Sequence, residues 1–442
     1  MPELPPGPRA PRFFQMFQWI FRPVPFLRTC DETYGDAFTL RLIGAPPVAF
    51  FSDPAAVKQI FSGNPEHLRA GQANRLSLER ILGPNSILLL DGARHKRERK
   101  LLMPPFHGER MRLYGELMTE IADRSIDFWP LERSFPVHSR MQQITLEIIL
   151  RAVFGLGDGA LLTELRGRLI RWLNFITGPL ETWMGLMQHR YIPLRDPLLR
   201  RIDRLLYDQI TRCRESRQKN RTDILAMLVA ARDEDGRPMS DEEIRDEIMT
   251  MLVAGHETTA TSLAWVIYRL LQNPQVLAKV RAEVESVTGQ QAPGPTGEQV
   301  AGLRYLDSVI KETARLNPVL PIAARHLGKD MRIGNHEVPA GTIVVPCIYL
   351  THRRPESWPE PEAFNPGRFV GRRIDPYTFF PFGGGVRYCL GAAFASYEMK
   401  IVLARVLSRV VLRLDPRHPV RVVRRGITFA PSGGVRVIRA AD

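Results

Sequence analysis

The stretch Phe382-Gly-Gly-Gly-Val-Arg-Tyr-Cys-Leu-Gly391 holds the residues best suited to chemistry. A cysteine is a strong metal ligand only as its thiolate, and the sulfur then needs nearby backbone N–H groups that set its basicity. Glycines permit positive φ and let a flat ligand come close to the backbone. The run Leu390-Gly-Ala-Ala-Phe-Ala reads as the opening of a helix, whose N-terminus favours negative charge. A Gly-rich loop around a buried free thiol is the plain alternative. Phe382, Gly385, Arg387, Cys389 and Gly391 fall at fixed spacing within ten residues, which weighs against it.

Three further constellations could serve such a centre. In Ala254-Gly-His-Glu-Thr-Thr259 an acid, Glu257, adjoins a hydroxyl, Thr258, and such a pair can relay protons. Ala254 and Gly255 leave room beside them, and the Thr258 hydroxyl can bond back to the i−4 carbonyl and loosen the helix. In Glu312-Thr-Ala-Arg315 the two charges share one helix face at i, i+3. That spacing alone is uninformative: it recurs at Glu66/Arg69, Glu109/Arg112, Glu234/Arg237 and Glu242/Arg245, where a surface pair is the natural reading. In His95-Lys-Arg-Glu-Arg99 the first and last side chains lie one helical turn apart and could reach one carboxylate, while Lys96 and Arg97 read as a solvated face.

Together these residues resemble the cytochrome P-450 superfamily of heme-thiolate monooxygenases, in its bacterial form. The resemblance implies heme b, with Cys389 as the iron ligand and dioxygen as co-substrate. It implies that Phe382 and Gly391 lie by the cofactor and that His95, Arg99, Arg325 and Arg387 pair with its propionates. Glu257 and Thr258 would be the oxygen-activation acid and alcohol. A peroxide-driven branch of the family carries Arg-Pro at that pair, so its presence favours the oxygen-dependent cycle. Arg368, in Phe364-Asn-Pro-Gly-Arg-Phe369, would complete a structural cluster with Glu312 and Arg315. The family usually has Glu where this chain has Gly367, a departure at a less critical position. The resemblance runs from the hairpin near residue 38 to Pro431-Ser-Gly-Gly434.

By family position the substrate would meet segments near 66–90, 170–190, 253–257, 319–324 and 427–430. The expected lining is Leu88, Trp172, Phe175, Val253, Ala254, Val319, Ile322, Ala323 and Phe429. Trp172, Phe175, Ile176, Trp183, Met184 and Met187 suit a lipophilic substrate or a lipid surface, and equally suit plain packing between helices. His67, Arg69, Arg75 or Arg80 could receive a carboxylate. The expected reaction is hydroxylation or epoxidation of a fatty acid, terpenoid or polyketide-like molecule. A heme-thiolate peroxygenase or isomerase, or a non-catalytic heme sensor, is the alternative.

The elements that must position these residues are legible. Residues 36–52 alternate as a hairpin around Gly44-Ala-Pro-Pro47, and Asp53-Pro54 opens a helix. From about 91 to 290 apolar residues recur three and four apart. Ser240-Asp-Glu-Glu243 is a capping box for a helix running to Asn273-Pro274, roughly 45–50 Å long at 1.5 Å per residue. Two strand-like pieces lie near 331–346 and another near 435–439. Residues 353–369 read as ordered coil, and Gly289-Gln-Gln-Ala-Pro-Gly-Pro-Thr-Gly297 as a surface loop. The expected fold is mainly α with a smaller β-rich part, as one heme domain over 1–442. Its β-rich part covers about 36–55, 320–350 and 415–442, and its helical part about 90–318 and 388–412.

Composition narrows the partners. Of 442 residues, 61 are basic and 47 acidic, a net charge of +14. The arginines are dispersed rather than gathered in an arm, which argues against nucleic acid. An anionic membrane surface or an acidic protein remains. No flavin or nicotinamide fingerprint follows Cys389, so electrons are expected from a separate ferredoxin or flavodoxin with its reductase, docking on the Cys side. Cys30, Cys213, Cys347 and Cys389 form no Cys-x-x-Cys pair, which excludes a zinc site or disulfide framework of the usual spacing. Three of them read as small buried hydrophobes. Phe13–Leu27 is too short and interrupted to span a bilayer, leaving peripheral contact at most. A cytoplasmic monomer is expected.

Overall fold

The computed structural model describes residues 3–106, 108, 110–155, 157–178, 195–216, 221–288 and 294–441. Trp183, Met184, Met187, Glu109 and the first half of the Gly289–Gly297 loop lie outside the described residues. Helices α1 Arg12–Phe21, α2 Pro23–Tyr34, α3 Pro54–Ser62, α4 Ala70–Leu82, α5 Gly92–Leu102, α6 Arg110–Asp127, α7 Val137–Phe154 and α8 Ala160–Ile176 form the first half. Then come α9 Arg195–Glu215, α10 Ile224–Ala230, α11 Asp241–Gln272, α12 Pro274–Thr288, α13 Arg304–Leu316, the single turn α14 Ile348–Thr351, and α15 Ala392–Arg409.

Strands β1 Ala37–Leu40, β2 Val48–Phe51, β3 Leu68–Arg69, β5 Arg325–Leu327 and β8 Ile343–Pro346 make one sheet in the order β1-β2-β8-β5-β3, while β4 Ser134–Pro136 lies apart. The expected hairpin is β1–β2, antiparallel with Phe38 opposite Phe50. Successive side chains of these strands enter opposite faces. Phe38, Leu40, Phe50 and Val345 join a core under α1 and α2, while Ala37, Ala49, Phe51 and Val344 join another with Ile60 of α3. Strands β6 Met331–Ile333 and β7 His336–Val338 form a separate hairpin, so the 331–346 region holds three strands rather than two. The sequence reading also missed β3, β4 and β9 Leu412–Leu414, which are too short to show alternation. Strands β10 Val422–Arg425 and β11 Thr428–Pro431 pair as a terminal hairpin, and β12 Arg436–Arg439 lies between β4 and β9.

Helix α11 begins as expected: Ser240 and Glu243 cap one another's backbone N–H groups. It packs along α7 and is buried over most of its length, as its apolar residues on several faces require. Cys30, Cys213 and Cys347 are buried, and burial pushes the Cys30 and Cys347 thiols up to about 12. Among the described residues no helix is long and apolar enough to cross a membrane.

A buried ionic cluster ties α13 to the 353–369 coil. Arg315 and Glu312 are both fully buried and pair bidentately, at 2.7 and 2.8 Å. Arg315 also donates to the carbonyls of His352, Pro361 and Ala363. Glu312 accepts from the Asn365 N–H at 2.9 Å, and Arg368 Nε stands 3.5 Å from it. Substituting Arg315→Leu strands a buried carboxylate and three carbonyls. The expected loss is about 3–5 kcal/mol of unfolding free energy, read from the urea midpoint by circular dichroism. A loss below about 1 kcal/mol, the range of a surface pair, would show that the cluster does not anchor the coil.

Candidate functional site

The Cys389 loop is shaped by its glycines. Gly383 and Gly385 have φ of +71° and +65°. A Cβ on Gly385 would stand 2.2 Å from the Phe61 carbonyl at the end of α3, so no larger residue fits. The Cys389 N–H donates to the Phe382 carbonyl at 3.0 Å, and Gly391 caps α15. Cys389 is exposed, although surrounding protein desolvates it strongly enough to push its thiol pKa up. Both hold for a residue that borders enclosed space inside the molecule. The Gly391 N–H and the charge of Arg99 pull the other way, favouring thiolate. A Cβ on Gly391 would meet nothing within 4 Å.

The four predicted basic residues converge near this loop. His95 is pushed down to about 4 by burial and by Arg387, Arg99 and Arg325, so it is neutral at pH 7. Arg325 and Arg387 are each lowered to about 10, mainly by burial, with Arg387 adding its repulsion to Arg325. Both remain cationic. Among the described residues Arg325 donates only to the backbone carbonyls of Ala324 and Gly384, at 2.9 and 3.4 Å, and it lies over the Phe61 ring. Arg387 donates to the carbonyls of Ile87 and Leu90 and pairs with Asp91 at 2.5 Å. Asp91 also accepts the N–H groups of Gly71 and Gln72 at the start of α4. Sequence reading passed over Asp91; its only signal was its place just before α5. Of the three guanidinium groups, Arg387 pairs directly with Asp91, so positive charge is in excess here.

The structure separates Glu257 from Thr258. Neighbouring helical residues point about 100° apart, so adjacency in sequence does not bring their side chains together. Glu257 is 5% exposed and turns toward α7. Its Oε2 accepts from Gln142 at 2.7 Å, and its Oε1 lies 3.0 Å from Arg425 Nε and 3.8 Å from His138 Nε2. The Arg425 contact is an ion pair with poor hydrogen-bond geometry. Burial raises the Glu257 pKa, while Arg425 and Gln142 oppose the rise. Thr258 donates to the Ala254 carbonyl at 2.5 Å. Ala254 is exposed although it sits midway along a largely buried helix.

Arg425, at the tip of the β10–β11 hairpin, was not foreseen. It also donates to Asn174 at the end of α8, at 2.9 Å. The hairpin is pinned by Trp265 Nε1 donating to the Phe429 carbonyl and by the Phe429 N–H donating to Val319. Of the expected lining, Leu88, Phe175, Val253, Val319, Ile322 and Ala323 are half-buried. Trp172 and Phe429 are instead buried in the core, at 0% and 2% exposure. Trp172 packs among the helices and Phe429 against Tyr349.

An accessible thiol beside the Gly391 N–H, edged by three arginines and one carboxylate, leaves an excess of positive charge that an anionic group would balance. The chain belongs to the cytochrome P450 family, whose family model matches residues 4–434. It is 41% identical over 442 residues to cytochrome P450 135B1 of Mycobacterium tuberculosis, covering 98% of this chain and 91% of that protein. It is 34% identical to cytochrome P450 138 of the same organism, covering 99% and 96%. Among solved structures, retinoic acid-bound cyanobacterial CYP120A1 aligns with a TM-score of 0.83 at 26% identity, over 99% of each chain. The cytochrome P450DA heme domain aligns at 0.87 with 23% identity, over 100% of this chain and 98% of that one.

Proteins of this family are heme-thiolate monooxygenases that bind heme b and use dioxygen as co-substrate. The residues here fit that group: a flat ring with two propionates balances the uneven charge among Arg99, Arg325, Arg387 and Asp91. Reduced protein under carbon monoxide is expected to show the red-shifted Soret band of a thiolate-bound heme. Cys389→Ala should lose that shift. A retained band would remove Cys389 from the site.

Proposed function

We propose that Cys389 is the iron ligand and that the enzyme hydroxylates or epoxidises a lipophilic small molecule. The observation that carries this is the accessible Cys389 sulfur, held in a glycine-rich loop beside an excess of arginines. Bound through a thiolate, heme b supplies oxygen activation and transfer of one oxygen atom to substrate. Arg325, Arg387, Arg99 and His95 would hold its propionates, with neutral His95 serving as a hydrogen-bond partner.

The protein's part in proton delivery is divided between two groups. Thr258 presents a hydroxyl to the interior, tethered to the Ala254 carbonyl. Glu257 holds the acid behind it, in an ion pair with Arg425. For a proton to pass between them Glu257 must leave Arg425, or water must bridge the turn. Thr258→Ala should therefore raise hydrogen peroxide release per turnover several-fold while the carbon monoxide spectrum stays unchanged. Arg425 lowers the Glu257 pKa, so Arg425→Gln should move the corresponding limb of the coupling–pH profile to higher pH. Unchanged coupling in Thr258→Ala, together with an unmoved profile in Arg425→Gln, would refute the relay.

The half-buried Leu88, Val253, Val319, Ile322 and Ala323 offer apolar contact without a convergent charge. A terpenoid or fatty acid suits them better than an ionic metabolite. The structural relative CYP120A1 was solved with retinoic acid, an apolar chain ending in one carboxylate. Electrons would come from a separate acidic ferredoxin or flavodoxin. On the Cys loop Val386 and Tyr388 are exposed, and neighbouring α5 adds exposed Arg94 and Lys96, the mixture of apolar centre and basic rim such a partner meets. Titration with retinoic acid, palmitic acid and a polar control such as camphorsulfonate should give saturable Soret shifts with the first two at micromolar concentration, about a hundredfold below any response to the control. Preference for the sulfonate would overturn the lipophilic assignment.

A further inference from the structure

Residues 83–91 join α4 to α5, and side chains from the first half of α11 hold them. Arg245 Nη1 donates to the Leu82 carbonyl at 3.0 Å. Asp246 Oδ2 accepts the backbone and side-chain N–H groups of Asn85, at 2.9 and 3.1 Å. The hydroxyls of Thr250 and Ser86 meet at 2.6 Å. Glu247 Oε1 accepts the Ile87 N–H at 2.7 Å. The other side of the segment is held from the Cys389 loop, where Arg387 donates to the Ile87 carbonyl at 3.1 Å and to the Leu90 carbonyl. The backbone of Ile87 is thus gripped at both ends, by a carboxyl on one side and a guanidinium on the other.

Glu247 is a costly residue to place there. It is fully buried, and among the described residues its Oε2 has no hydrogen-bond partner. Burial pushes its pKa well above the carboxylate range, with Glu98 of α5 adding repulsion and the Ile87 N–H opposing the rise. Such surroundings favour the neutral acid. An apolar side chain of the same length would fill the space without burying a polar atom. It could not accept the Ile87 N–H, however, and a buried N–H without an acceptor carries the full penalty of its lost hydration. The acid is therefore placed for that one bond, and the carbonyl of the same residue is the one that Arg387 binds.

We propose that Glu247 is a positioning residue for the heme site: by holding the Ile87 N–H it sets the Ile87 carbonyl, and through that carbonyl the Arg387 guanidinium. The proposal rests on Arg387 as a propionate partner. The test compares Glu247→Met, which keeps the length but not the acceptor, with Glu247→Gln, whose amide oxygen can still accept. The readouts are the rate of heme loss to excess apomyoglobin and the heme midpoint potential. Glu247→Met should lose heme about tenfold faster, the usual scale for a residue that orients a cofactor's partner. Its potential should fall, because a cation held near the ring favours the reduced state. Glu247→Gln should match wild type in both. Arg387→Gln should also lose heme faster, and adding Glu247→Met to it should quicken the loss no further, since both act through one contact. If Glu247→Met takes up no heme, Glu247→Asp, which keeps the acid but falls a methylene short of Ile87, is read in its place with the same expectation. Heme loss equal to wild type in Glu247→Met, impairment of Glu247→Gln to the same degree, or additive losses in the double variant overturns the proposal. Unchanged heme loss in Arg387→Gln overturns the propionate reading itself, and this proposal with it.

Discussion

A thiolate is hard to keep inside a protein, and Cys389 sits where surrounding protein drives its thiol pKa up. Desolvation of this kind disfavours the charged form, so the fold must supply compensating positive potential. It does so locally. The Gly391 N–H faces the sulfur, α15 begins three residues beyond Cys389, and Arg99 adds a full charge. Bound iron would complete the compensation, since a coordinating thiol is deprotonated outright. The positive φ at Gly383 and Gly385 and the close approach of Gly385 to Phe61 follow from placing such a loop against the sheet side of the molecule.

The loop in turn depends on the ionic cluster beneath α13. Arg315 binds the His352 carbonyl, and the His352 ring accepts the Phe380 N–H at 2.9 Å. That acceptance requires a neutral imidazole. Complete burial, with Arg315 and Arg353 nearby, pushes the His352 pKa well below its ordinary value and keeps it neutral. Two residues later the chain reaches Phe382, whose carbonyl receives the Cys389 N–H. A charged pair in one helix therefore fixes, through a coil and one histidine, the position of a sulfur in another segment. The cluster's value is positional, since buried ion pairs add little net stability while breaking one is costly.

How legible this was depends on sequence distance. The β1–β2 hairpin, the Asp53 and Ser240 caps and the Glu312/Arg315 pair rest on residues within a few positions, and local geometry decides them. The Cys loop was legible because five constraints fall within ten residues. Partners set by tertiary approach were not. Asp91 reaches Arg387 across 296 positions, and Arg425 reaches Glu257 from the terminal hairpin. Trp172 shows the remaining limit. A large aromatic on a helix reads alike whether it faces a cavity or its neighbours, and here it lies wholly in the core.

The Glu257–Arg425 pair has a consequence beyond proton delivery. Arg425 holds three parts together: Glu257 on α11, Asn174 at the end of α8, and its own hairpin. Gly426 beside it has φ of +59° and lies against Thr177, so the turn has little freedom to slide. Opposite-charge pairing favours ionised Glu257, whereas its burial favours the neutral acid. Moving the Arg425 guanidinium away would therefore favour the neutral acid further. Anything that shifts α8 or the hairpin, a bulky substrate included, changes the distance between Arg425 and Glu257 and so the balance. Under the proposed relay, displacement of Arg425 and protonation of Glu257 are linked through a single side chain, and each must influence the other equally.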